Sequence, residues 1–221
     1  MHRPQAYFLT GTDTGIGKTL ASCGLLHAAA ARGLRTLGMK PVAAGADDLG
    51  SDADRLIAAS SVKAPRQLVN PYGFAEPIAP HLAACAERRI IELDVICSAF
   101  AQLADQADFV VVEGVGGFRV PLGDGIDSAD LAQALDLPMI LVVGLRLGCL
   151  NHALLTVEAM RARGLGLAGW IANRIDPTMA RWRENLTALE ARLAAPLLGL
   201  LPWQERPDAL AAARLLALPP I

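Results

Sequence analysis

Residues 8–19 read FLTGTDTGIGKT: a short apolar run, a glycine-rich turn and a closing Gly-Lys-Thr triplet. Phosphate-binding loops usually place four residues between their first glycine and that triplet. Here Gly11 and Gly17 are separated by five residues, Thr12 to Ile16. The surroundings nevertheless fall into register as strand, turn and helix. Ala6–Leu9 reads as a buried strand, and Lys18–Ala31, alanine-rich and ending near Gly33, reads as a helix. A turn of this kind directs backbone N–H groups at one point, and the helix N-terminus adds partial positive charge that attracts phosphate oxygens. Thr14, Gly15, Ile16, Gly17, Lys18, Thr19 and Leu20 are therefore candidate nucleotide contacts. Lys18 reaches the β- and γ-phosphates, and the Thr19 hydroxyl is placed to ligate Mg²⁺. A chance Gly-Lys-Thr at a helix start is the alternative.

Working outward, apolar runs alternate with helical patterns. Thr36–Val42, Phe109–Glu113, Pro138–Val143, Ala168–Ala172 and Leu197–Leu201 read as strands. Helices are expected over residues 92–106, 128–135, 151–163 and 179–194. Such alternation predicts an α/β fold with right-handed crossovers and a mostly parallel sheet, helices on both faces. With no Ser/Gly linker and no internal repeat, residues 1–221 read as one domain. The segment Ala64–Pro80, punctuated by Pro65, Pro71, Pro77 and Pro80, reads as a rigid functional loop, with a ligand-free surface excursion as the alternative.

Composition narrows the partners. Hydrophobic residues make up 53% and charged ones 19%, which suits strands buried on both faces. A net charge of −2 and the lack of a basic run argue against nucleic acid and against an anionic membrane surface. No apolar run is long enough to span a bilayer and the N-terminal segment carries no cleavable apolar stretch, so a cytoplasmic location is expected. Cys23, Cys85, Cys97 and Cys149 form no C-x-x-C pair and are expected to be buried reduced thiols.

A magnesium–nucleotide site also needs an acid facing the loop. Glu113 ends FVVVE, where a parallel strand delivers side chains to the carboxyl edge of the sheet. Gly114, Val115 and Gly116 follow and let the backbone pass close to a ligand. A solvated strand-terminal acid is the other reading of Glu113. Asp52, in GSDADRL, is either a metal ligand or a helix-start acid, with Asp54 its neighbour and competitor. Lys40, in GMKPV, leaves a strand at the same edge and is a candidate to neutralise a transferring phosphoryl group, or else a snorkelling surface lysine. Asn173, in IANRID, presents a donor and an acceptor to a purine, or simply ends a strand. Arg174 stands where guanine-reading loops carry lysine.

Taken together, GTDTGIGKT, MKPVAAG, NPYGFAEPIAPH, VEGVGG, VVGLRLGCLNHALLT, GWIAN and LLGLLPW occur in that order, and the chain resembles the dethiobiotin synthetases over nearly its whole length. The five-residue gap is itself a feature of that family. The resemblance implies a P-loop nucleoside-triphosphatase fold and use of ATP, Mg²⁺ and CO₂ to close a urea ring on 7,8-diaminononanoate. It implies a carbamate whose oxygen attacks the γ-phosphate, giving a mixed anhydride that the second amine opens. It further implies that Lys18 and Lys40 are catalytic and that Thr19, Asp52 and Glu113 surround the metal. Asn173, Arg174, Pro202, Trp203, Gln204 and Asp208 would flank adenine. Ala44, Gly148, Cys149, Leu150 and Asn151 would receive the diamine near a homodimer interface, with Cys149 contributing shape and not nucleophilic chemistry.

The chain departs from the family pattern at three places: Gly15 where some members carry glutamate, Ala44 for a frequent serine, and Asn185 near a tyrosine of other members. Two rival readings are a nucleotide-switch ATPase or GTPase and a catalytically dead nucleotide-binding module. Against the first, Thr10–Thr12 offer no lysine near the first glycine, and Pro177 directly follows the Asn-Arg-Ile-Asp string.

Overall fold

Strand β1 (Gln5–Gly11) is buried from Tyr7 onward and runs up the middle of the protein, whose computed structural model describes residues 4–45 and 50–220. The opening residues 1–3 of the N-terminal segment lie outside the described residues. After β1 come α1 (Lys18–Ala30), β2 (Thr36–Met39), β3 (Val42–Ala44), α2 (Asp52–Ala59), α3 (Arg66–Val69), β4 (Tyr72–Phe74) and α4 (Pro80–Ala86). They are followed by α5 (Leu93–Ala104), β5 (Phe109–Glu113), β6 (Pro121–Gly123), β7 (Ile126–Asp127) and α6 (Ser128–Leu135). The chain closes with β8 (Met139–Leu145), α7 (Cys149–Ala162), β9 (Leu167–Arg174), α8 (Trp182–Glu190), β10 (Leu197–Leu201) and α9 (Ala209–Ala213).

Six of the strands form one parallel sheet in the order β10-β9-β8-β1-β5-β2. Alternation along β5 shows why both faces are covered. Val110 and Val112 pack into one cluster with α5 and α6, while Phe109 and Val111 pack on the other face against α1. Fully apolar strands of this kind have no solvent face and need helices on each side. A third cluster, around Trp170 and Leu141, sits under α7 and α8. Helical starts carry their own signals. Ser51 caps α2 and Asp127 caps α6, each with an aspartate three residues on reaching back to complete a capping box.

The architecture follows the expected α/β plan, and four local readings need correction. The apolar stretch at Thr36–Val42 is two strands, because Lys40 and Pro41 break the pairing: β2 pairs with β5, whereas β3 pairs with β4 in a small separate sheet. Proline has no N–H to continue a ladder. Ala64–Pro80 is not all loop; it contains α3 and β4 and begins α4. The helix expected over 179–194 is shorter, starting only after Arg181 takes a left-handed φ of 56°. Finally, not every thiol is buried: all four cysteines are free, Cys23 and Cys149 are buried, Cys97 is half-buried and Cys85 is exposed.

Two outcomes test this packing. A Cβ added to Gly199 on β10 would stand 2.3 Å from the carbonyl oxygen of Leu215, a backbone atom with little freedom to yield. Gly199→Ala is therefore expected to cost ~1–3 kcal/mol in urea unfolding. Burial pushes the Cys23 thiol up to about 12 and raises Cys149 as well. Mass-resolved alkylation of the native protein at neutral pH should label Cys85 first, and Cys23 only after unfolding.

Candidate functional site

Three neighbouring strands bring the reactive groups to one edge. β1 runs into the glycine-rich loop, and β5, paired with it, sets Glu113 level with Leu9. β2 pairs with β5 so that Met39 faces Val112, and Lys40, one residue further, arrives beside Glu113. The fourth group comes from α2, whose first residue is Asp52; its cap is Ser51, which leaves the Asp52 carboxylate free to point at the loop. Thr19 is the second residue of α1.

The four side chains meet. Thr19 Oγ1 lies 2.8 Å from Asp52 Oδ1 and 2.9 Å from Glu113 Oε1, so its single proton serves one carboxylate at a time. Lys40 Nζ donates to Glu113 Oε1 at 2.7 Å and to the Gly114 carbonyl at 3.0 Å, and lies 3.0 Å from Asp52 Oδ2. Glu113 is 0% exposed and Lys40 2%. Burial alone would lower the Lys40 pKa, but the charges of Glu113 and Asp52 reverse that and hold it above its usual value. Burial would raise Asp52, yet the Lys40 ammonium and the Thr19 hydroxyl keep its carboxyl below the ordinary range. Lys18, buried and close to Lys40, is lowered to about 8. Its ammonium folds back on the loop, donating to the Asp13 carbonyl at 2.8 Å.

This donor set fits a magnesium ion. A hydroxyl and two carboxylates are hard oxygen ligands, and Glu113 Oε2 is buried without a hydrogen-bond partner, an unusual situation for a carboxylate oxygen. Among the described residues, no group of three or more His, Cys, Asp or Glu could hold a metal by itself. Mg²⁺ takes only one or two carboxylates and fills its remaining positions with phosphate and water.

The other candidates divide. Asn173, at the end of β9, is buried, and its Nδ2 donates to the Ile16 carbonyl at 2.8 Å. A Cβ on Gly17 would stand 2.2 Å from that Nδ2, and Gly17 also takes a left-handed φ of 87°, so only glycine fits there. β10 pairs with β9 with Leu201 opposite Asn173, so Pro202, Trp203 and Gln204, all exposed, leave the sheet next to it. Arg174 turns away: its guanidinium stacks 4.5 Å from the Trp182 ring. Asp208 Oδ1 accepts from Leu210 N at 2.9 Å and caps α9, a structural use that spacing alone did not show. Asp176 is taken up by the Thr178 N–H and hydroxyl, an aspartate-turn arrangement rather than a free guanine-reading carboxylate. Gly148, Cys149, Leu150 and Asn151 begin α7 after β8, while Ala44 lies beyond β2. The strand order places them on opposite flanks of the loop.

Sequence reading missed two residues. Arg146, just after β8, ion-pairs with Asp13 of the loop. Neither lies in a motif position with a defined role, and 133 residues separate them, so no local pattern joins them.

A parallel sheet with β1 running through a Gly-Lys-Thr turn into α1, and a buried acid on the adjacent strand, defines a P-loop nucleotide-binding protein. The family model described as AAA domain matches residues 5–209. The ATP-dependent dethiobiotin synthetase BioD of Aromatoleum aromaticum is 58% identical, across 99% of this chain and 100% of its own length. That of Nitrosospira multiformis is 55% identical, across 93% of this chain and 91% of its own. The chain belongs to the dethiobiotin synthetase family. Among solved structures, the septum site-determining protein MinD of Pyrococcus horikoshii, complexed with Mg-ADP, aligns with 94% of this chain and 86% of its own at 16% identity and a TM-score of 0.57. That likeness speaks for the fold alone.

Lys40→Met by itself leaves Glu113 buried without its cation and is expected to lower unfolding free energy by ~3–5 kcal/mol. Adding Glu113→Gln should recover part of that loss in urea titrations; a double variant as costly as the sum of the singles would refute the coupling.

Proposed function

We propose that this chain is an ATP- and Mg²⁺-dependent cyclo-ligase that closes the ureido ring of dethiobiotin from 7,8-diaminononanoate and CO₂, releasing ADP and phosphate. The observation that carries the reading is the joined set Thr19–Glu113–Lys40–Asp52 beside the phosphate loop, intact in a chain that matches dethiobiotin synthetases from end to end. Residues 1–221 act as one domain on this reading.

The chemistry asks the protein for alignment and charge neutralisation. One amine of the substrate takes up CO₂ as a carbamate. A carbamate oxygen attacks the γ-phosphorus and ADP leaves; the second amine then attacks the carbonyl carbon, and phosphate departs with the oxygen that was activated. The loop from Thr14 to Leu20 cradles the phosphates, and Lys18 exchanges the Asp13 carbonyl for a phosphate oxygen. Lys40 has three N–H groups and three acceptors around it, so it meets the transferring phosphoryl group by giving up one of them. Asp52, the most exposed of the three, is the natural one to release. Thr19, Asp52 and Glu113 would hold Mg²⁺, which when bound offsets the negative charge of the β- and γ-phosphates. Gly114, Val115 and Gly116 pass beside the phosphates, and Asn173 with Pro202, Trp203 and Gln204 flanks adenine. Arg174 and Asp208 contribute to that pocket through the shape of its wall, given the stacking and capping roles their side chains hold. Gly148, Cys149, Leu150 and Asn151 receive the diamine from one flank and Ala44 from the other.

A cytoplasmic homodimer completes the proposal. Support for self-association comes from Leu147, Leu154 and Leu155, exposed on and just before α7, next to the diamine turn. Among the described residues no helix is long and apolar enough to cross a membrane.

The purified protein should release ADP only when diaminononanoate and bicarbonate are both present, with a ureido product seen by mass spectrometry. Lys18→Gln should slow turnover by ~10²-fold or more. Glu113→Gln should shift the Mg²⁺ requirement upward in a titration. Diamine-independent hydrolysis stimulated by a macromolecule would favour a nucleotide switch instead.

A further inference from the structure

Asp13 is the point at which the phosphate loop is tied to itself and to its neighbour. Its Oδ1 accepts from Thr14 N at 2.7 Å, its carbonyl accepts from Lys18 Nζ at 2.8 Å, and its Oδ2 accepts from Arg146 Nη2. Arg146 in turn does two things. Its carbonyl accepts from Cys149 N at 3.0 Å, closing the turn in which Gly148, at φ 96°, leads into α7. Its guanidinium crosses to the loop. One residue thus shapes the turn on which the diamine is read and grips the loop on which the nucleotide is read.

The spacing gives a physical reason for the grip. A loop with five residues before Gly-Lys-Thr has one more residue's freedom to lose than the usual form. Asp13 lies within that gap. On the β9 side the loop is held at Ile16 by Asn173, and the Thr12 N–H bonds the Val142 carbonyl of β8 at 3.1 Å. The Asp13–Arg146 pair fastens the stretch between these two points. Its side chains are 43% and 42% exposed, so it adds little to global stability. Its effect is positional.

Resting on the ring-closing function above, we infer that Arg146, through Asp13, is a positioning residue that fixes the separation between the phosphate loop and the α7 turn. It thereby sets the in-line approach of the carbamate oxygen to the γ-phosphorus. Misplacement by about 1 Å is enough to cost ~10²-fold in a reaction of this type. Neither side chain needs to touch the reacting atoms.

The test uses the full chain with Arg146→Gln, Arg146→Lys, Asp13→Asn and the double variant Asp13→Asn/Arg146→Gln. Arg146→Gln should lower kcat by about 10- to 100-fold, while the Kd of a non-hydrolysable ATP analogue changes by less than about threefold. Arg146→Lys, which keeps the charge, should recover part of kcat. The double variant should be no slower than the worse single one, since both break the same pair. Hydrogen exchange of the backbone amides of residues 12–17 should quicken in both single variants. Multiplying losses in the double variant, a kcat within about twofold of the parent, or unchanged loop exchange would each overturn the latch. Exchange decides the latch independently of chemistry, so an unmodified protein without diamine-dependent turnover would count against the ring-closing function and not against the pairing.

Discussion

Glu113 and Lys40 are tolerable in the interior chiefly because each stands 2.7 Å from the other. Removing Lys40 strips buried Glu113 of the cation bonded to it, and removing Glu113 leaves Lys40 with only the more exposed Asp52 carboxylate, 3.0 Å away. That requirement dictates much of the surrounding structure. β5 and β2 must be adjacent and in the register that ends both at the same height. The thiol of Cys23, buried close to the same acid, is driven far from ionisation, with burial the larger cause and the Glu113 charge adding to it. A hydrophobic pair would pack at lower desolvation cost. The ion pair supplies instead a cation and an anion already oriented at the sheet edge beside the glycine-rich loop.

The remaining parts hold this pair in place from several directions. Lys40 is fixed through its backbone: its N–H bonds the Val69 carbonyl at 2.8 Å, and its carbonyl accepts from Asn70 Nδ2 at 2.7 Å. The proline-punctuated segment thus anchors the main chain of Lys40 through Val69 and Asn70. Asp52 owes its aim to the Ser51–Asp54 capping box, which satisfies the helix start without using the Asp52 carboxylate.

One departure from the family pattern, Gly15, also finds a place. Gly15 takes a left-handed φ of 71° with open space around a would-be Cβ, so glycine relieves backbone strain there at the loss of an acid. Cys149, buried with a raised pKa, occupies volume at the foot of α7 and lacks the thiolate character a nucleophile needs.

Local pattern determined a large share of this protein. The strand–turn–helix at Gly11–Thr19, the apolar runs at Phe109–Glu113 and Leu197–Leu201, and the helix at 128–135 are all dictated by short-range periodicity and turn chemistry, and they appear where the sequence places them. So do Lys18, Thr19 and Glu113, because a strand end and a helix start are local features. What long-range packing alone decided is which of these ends meet. Asp52 could have been a mere helix-start acid; the approach of α2 to α1 put it against Thr19 and Lys40. Asp208 and Arg174 share the sequence neighbourhood of the residues expected to flank adenine, yet a cap and an aromatic ring claimed their side chains. The contact of Arg146 with Asp13 depends on β8 lying beside β1, a strand order that hydrophobic periodicity does not encode. Periodicity reports which face of an element is buried, and only the assembled sheet determines what lies across from it.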